Sequence, residues 1–290
     1  MALDFFTRAL PLNVLASVHP DAQGLFGGQE SFIGFLSNSF LVGVIVVSIV
    51  LFAASRATSK MTLVPHAWQN GFEFVVEFLY GQVEGIVGKK LAPRAFPLLG
   101  SLFIFILVSN WIGLVPGVGT IGWGEGTGGF ASVAEVTKPL FRPPTADLNM
   151  TFGLAASAFL VWIWFTVREV GVWGFIVHTF GPKGGLTGLM GIVVAVVFMF
   201  VGVIEMISIL FRPITLSFRL YGNVFAGEQV LHTMSGMGGF LGSILAPFPF
   251  YFMELLVGLL QAIVFTLLCA VYIQLSTSHD DHGEEDGAHH

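Results

Sequence analysis

Five apolar runs decide what this chain can fold into: residues 35–54, 95–115, 150–167, 189–234 and 247–275 are each close to or beyond the length of about 20 residues that a helix needs to cross a bilayer. The hydrocarbon core contains no water, so every backbone N–H and C=O inside it must be paired within the protein, which leaves helices or closed barrels. The runs do not alternate in the ten-residue segments of a membrane barrel, so they are read as helices. Composition agrees: 54% of the residues are hydrophobic and 10% are charged, against about 25% charged in ordinary soluble domains. The expected fold is an all-α integral membrane protein with about five membrane-embedded helices.

Two of the runs exceed one upright crossing. At about 1.5 Å per residue, residues 189–234 span roughly 70 Å and residues 247–275 about 43 Å. No polar turn divides the first, and Arg212-Pro213 offers a kink rather than a loop. Both are expected to be single, strongly tilted helices, as helices laid against a curved partner would be. Residues 68–87 place Glu73, Glu77, Gln82 and Glu84 among Phe, Val and Leu, the pattern of an amphipathic helix at the membrane interface. Around this membrane domain (35–276) lie an N-terminal extension (1–34) and an acidic, His-rich tail (277–290). The extension starts with one Arg, an early Asp4 and an internal Pro11, unlike a secretory signal, and is expected to form a short surface helix. The Gly-rich stretch 120–130, the turn-like 142–147 and the break at 178–188 are expected to be loops.

Basic residues set the orientation. With five spans and the N-terminus outside, Arg56, Lys60, Lys89, Lys90, Arg94, Arg168 and Lys183 are cytoplasmic, while Arg8, Lys138 and Arg142 are outside. That seven-to-three bias follows the positive-inside rule and puts the C-terminus in the cytoplasm. No basic patch points to nucleic acid. The single cysteine, Cys269, lies in an apolar run and is read as a buried structural thiol. His279, His282, His289 and His290 are read as part of a solvated tail rather than as a metal site. No phosphate-binding GxxxxGK[ST] occurs, and GWGEGTGG lacks a following Lys and a flanking strand. The chain is therefore not expected to make or break a nucleotide itself, and neither a cofactor nor a metal is expected.

The informative residues are the polar ones inside the fourth run. A mid-membrane Arg costs about 2.5–3.5 kcal/mol on insertion scales, so an intramembrane charge reads as functional. At about 100° per residue, Glu205, Ser208, Arg212, Thr215 and Asn223 all fall within about 40° of Arg219, on one face. Gly222 and Ala226 keep the adjoining surface small. Glu228 falls on the opposite side, with His232 one turn beyond it. In the last run Glu254 and Gln261 are seven residues apart, two turns, and share a face. Together these groups could form an ion path across the membrane.

The string RPITLSFRLYGNVFAGE (212–228), followed by ELLVGLLQAIVFTLLCAVYI (254–273), resembles the signature of subunit a of the rotary F-type ATP synthase. FILVSNWIGLVPG (105–117) and PTADLNMT (144–151) resemble the same family, and the likeness covers about 61–276. The resemblance implies that Arg219 is the essential stator arginine. It implies that Glu228, Glu254, Asn223 and Gln261 belong to a half-channel open to the outside, and Glu205 to one open to the cytoplasm, with His232 a further candidate. The implied partners are the c-ring, a ring of small helical hairpins each with a membrane carboxylate, the peripheral-stalk b subunits and membrane lipid. The implied location is a bacterial inner membrane.

Two other classes would also use polar residues within spans. A secondary transporter or proton-driven motor stator would want Arg and Glu there, but neither an inverted repeat nor paired broken helices are visible. A structural assembly subunit of a membrane complex would need no ion path. Proton flux that depends on Arg219 separates the ion-conducting readings from the structural one.

Overall fold

The computed structural model describes residues 38–59, 67–115, 141–169, 189–235 and 245–277, together with 122–124, 130–131, 136–139, 171 and 174. They form six long helices: α1 (Asn38–Thr58), α2 (Ala67–Val87), α3 (Ala92–Gly113), α4 (Leu148–Glu169), α5 (Leu189–Ser235) and α6 (Phe248–Thr277). Five of these, all but α2, are long and apolar enough to cross a membrane. The all-α membrane reading holds. The N-terminal extension and the tail beyond residue 277 lie outside the described residues, as do 178–188 and the connection 236–244.

The fourth apolar run is one helix. α5 has 47 residues and continues through Pro213, although a proline there leaves the carbonyl four residues back without its N–H partner. α6 follows with 30 residues. Along the spans, hydroxyls that lipid could not satisfy bond to their own helix: Ser48 Oγ donates to Val44 O at 2.7 Å and Thr166 Oγ1 to Trp162 O at 2.9 Å. Large apolar side chains on the spans face outward, including Phe52 (69% exposed) and Ile204 (67%), as a lipid-covered surface requires.

α2 is the amphipathic helix. Leu79, Val83 and Val87 are buried, whereas Trp68, Phe74 and Phe78 are exposed alongside Glu77 and Gln82, a mixture that suits the headgroup layer. The helix ends at Gly88, whose φ of 84° is left-handed and whose N–H reaches Glu84 O at 2.9 Å. Pro144–Ala146 form a 3₁₀ turn, and Asp147 Oδ1 then accepts from Asn149 N at 3.0 Å, capping α4.

One expectation is corrected. The Gly-rich stretch read as a loop without a flanking strand contributes to a small antiparallel sheet in the order β2-β1-β3. Its strands are β1 (Gly122–Gly124), β2 (Phe130–Ala131) and β3 (Val136–Pro139). Trp123 pairs with Phe130 on one side and Lys138 on the other, with an irregularity between Trp123 and Gly124. Strands of two to four residues are too short to show alternation. The glycines supply little side-chain signal while leaving backbone groups that still need partners.

The chain divides into two compact units. Unit 1 takes Met1–Arg56, Phe105–Thr151 and Leu220–Gln261; unit 2 takes Ala57–Ile104, Phe152–Arg219 and Ala262–His290. The interior of unit 2 is mainly apolar, with Leu79, Leu99, Ala155, Leu216, Phe265 and Ile273 buried. Unit 1 buries Val42, Val46, Ile106 and Leu220, but also Asn38, Ser39, Ser109, Asn110, Arg142, Thr145, Asp147, Thr151 and Gln261. A polar interior of that kind in a membrane domain calls for a function.

Candidate functional site

Unit 1 brings together several of the residues singled out from sequence. Asn223, on α5, donates from Nδ2 to Oε1 of Gln261, on α6, at 2.7 Å. Gln261 is only 4% exposed, and its Nε2 has no partner among the described residues. On α3, Asn110 donates from Nδ2 to Gly258 O at 3.1 Å, and its Oδ1 is likewise buried and without a partner among them. The next residue, Trp111, donates from Nε1 to Leu255 O at 3.3 Å. These two bonds fasten α3 to the stretch of α6 between Glu254 and Gln261. The approach is close because position 258 is glycine: a Cβ there would stand 3.1 Å from Asn110 Cβ.

A second glycine makes room for a carboxylate. The Glu254 carboxyl group occupies the space that a Cβ on Gly227 would take. Glu254 is thus packed onto α5 at the residue before Glu228. Glu228 is exposed. His232 lies within α5, but its side chain is outside what the structure describes.

Unit 2 contains both intramembrane arginines, seven residues apart on α5. Arg219 is exposed, and among the described residues it has no hydrogen bond, ion pair or ring contact. Ser208 and Thr215 are exposed on the same helix, whereas Ser217, expected on the opposite face, is 0% exposed. The phase expected from sequence therefore survives Pro213. Glu205 is half-buried.

Arg212 behaves differently from its phase. Its guanidinium carbon stands 4.6 Å from the centroid of the Tyr272 ring and 5.7 Å from that of Trp162. Such contacts are worth about 0.5–2 kcal/mol, most when water is excluded. Trp162 is 6% exposed and is held by a 2.7 Å bond from its Nε1 to Tyr272 O. Ala155, Ala158, Phe159, Leu216 and Cys269 complete the cleft around Arg212.

Asn110, Trp111, Gly227 and Gly258 were missed as individual site residues, as were Trp162 and Tyr272. An Asn in a strongly apolar span was a usable signal for Asn110. For the glycines the signal exists only once the neighbouring helix is in view.

The model of the ATP synthase A chain family matches residues 36–274. The chain is 35% identical over 245 residues to "ATP synthase subunit a 2" of Syntrophotalea carbinolica, covering 84% of this chain and 86% of that protein. It is 32% identical over 229 residues to "ATP synthase subunit a" of Moorella thermoacetica, with 79% and 85% covered. Against "ATP synthase subunit a" of Mycobacterium marinum it is 31% identical over 258 residues, with 84% and 87% covered. With five apolar spans, a polar interior and a bare arginine on its longest helix, the chain belongs to the ATP synthase A chain family, the subunit a proteins.

Proposed function

We propose that this chain is the ion-conducting stator of an ATP synthase membrane sector, carrying protons through two offset half-channels to and from the carboxylates of a rotating c-ring. The observation that carries this reading is the exposed Arg219 stripe on α5, backed by a buried Ser217. Guanidinium cannot be deprotonated in a protein. A ring carboxylate facing Arg219 is therefore held ionised. It must release its proton to one half-channel before it passes and take another from the second after nearly a full turn. The fixed charge also opposes a direct leak between the half-channels. Lysine would serve less well, because burial lowers its pKa.

Glu228, Glu254, Asn223 and Gln261 are assigned to the outer half-channel, with His232 beside them, and Glu205 to the cytoplasmic one. Gln261 Nε2 and Asn110 Oδ1, buried and without partners among the described residues, supply a donor and an acceptor in the interior of the same unit. The length of α5, 47 residues, suits a tilted helix laid along the curve of a ring. Peripheral-stalk b subunits and lipid would cover other faces; nucleic acid has no place in this reading. The chain conducts ions and performs no covalent chemistry.

Cysteines at Ser208 or Thr215 should cross-link to the carboxylate-bearing helix of the ring, and cysteine at Ser217 should not. Equal cross-linking from both faces would mean that this side of α5 does not define the ring contact.

We place the protein in a bacterial inner membrane with the N-terminus outside and the C-terminus in the cytoplasm, on the seven-to-three bias of basic residues. Cysteine at Ser278 should react with a membrane-impermeant maleimide only after the cells are opened. Labelling in intact cells would reverse the orientation.

A further inference from the structure

The helical phase of α5 puts two permanent positive charges on one stripe, yet only Arg219 is displayed there. We infer that Trp162 and Tyr272 act as an aromatic clamp that holds the charge of Arg212 off the ring-facing stripe. This rests on the stator reading, which makes that stripe the surface passed by the ring carboxylates.

The geometry supplies the clamp. Arg212 sits against the Tyr272 ring at 4.6 Å and the Trp162 ring at 5.7 Å. The indole is fixed by its 2.7 Å bond to the Tyr272 backbone carbonyl, so Trp162 is anchored to α6 at the residue that carries the second ring, independently of Arg212. Ala155 and Ala158 leave room in the cleft for a long side chain. Arg219 has no such contact among the described residues and stays exposed.

The chemistry supplies the reason. Seven residues along a helix are about 10 Å, so a released Arg212 would stand beside Arg219 on the same stripe. Each guanidinium favours the ionised form of a nearby carboxylate. One such charge separates the half-channels; a second extends the zone in which a ring carboxylate resists protonation and slows its exchange with the half-channel. A fall of about one unit in the carboxylate pKa means about tenfold fewer protonated carboxylates. Among the described residues the guanidinium meets ring faces rather than a counter-ion, so none of them adds an acid beside the path.

The test is passive proton conduction through vesicles carrying the membrane sector with its ring, at matched amounts of assembled complex. Arg212→Met keeps an unbranched side chain in the cleft without the charge and should conduct within about twofold of wild type. Trp162→Leu combined with Tyr272→Leu should conduct about tenfold more slowly. Adding Arg212→Met to that pair should restore conduction, which lost packing alone would not allow. Wild-type conduction in the clamp pair, no rescue in the triple variant, or loss of conduction in Arg212→Met alone would each overturn the inference. If the clamp pair does not assemble, recovery of assembly in the triple variant supports the inference and continued failure overturns it. Arg219→Ala assayed in parallel for ATP-driven pumping keeps the two readings apart. Normal pumping there removes the stator assignment, whereas a normal clamp pair removes only the clamp.

Discussion

Arg219→Ala should leave the complex assembled while abolishing ATP-driven pumping and proton-driven synthesis. Assembly should survive because Arg219 is exposed on α5 and, among the described residues, holds no other element in place. Coupling should fail because no permanent charge remains to keep a passing ring carboxylate ionised. A protonated carboxylate can then cross the stator interface in either direction without exchanging its proton. Each elementary charge crossing 100 mV carries about 2.3 kcal/mol, so several crossings must be accumulated for one ATP, and a slip at every step leaves nothing to accumulate. The measurement is acidification of inverted vesicles on ATP addition, with the amount of assembled complex quantified. Acidification at the wild-type rate would refute the role given to Arg219.

How much of this was legible beforehand differs between the two units. The spans were legible because a bilayer demands long apolar runs, and α5 could be read as a single helix because no polar turn interrupts 189–234. The Arg219 stripe was legible because helical phase needs only a period, and the 0% exposure of Ser217 bears it out. Arg212 shows the limit of that argument: phase fixes where a Cβ points, but a long side chain follows its best partner, and Trp162 and Tyr272 belong to other helices. Gly227 and Gly258 show a second limit. Their meaning lies in what approaches them, the Glu254 carboxyl and the Asn110 side chain. The small sheet shows a third, since Gly122–Gly124 carries too few side chains to display alternation.

Glu228→Gln and Glu254→Gln should each slow proton passage by about a hundredfold, the low end of what a positioned acid-base group contributes. The glutamine keeps the shape and much of the hydrogen bonding of the carboxyl but cannot release a proton, so a structural role would survive the change and a relay would not. Glu254 packs onto α5 at Gly227, next to Glu228 along the chain, and both lie in the unit whose interior is rich in buried polar groups. If both carboxyls relay protons, removing one should change the pH profile of the flux as well as its size, because a different group then limits the transfer. Arg219 remains in place in these variants, so they should be slow rather than uncoupled. Glu254→His should recover part of the flux, with its steepest pH dependence near about 6.5, where imidazole titrates. A side chain at position 227 should mimic the loss, since Gly227→Val would displace the Glu254 carboxyl without removing any titratable group. The assay is proton flux through ring-containing membranes stripped of the ATP-making head, measured across pH. If both glutamine variants keep the wild-type flux and profile, these carboxyls are packing partners of α5 and α6, and the path must run elsewhere.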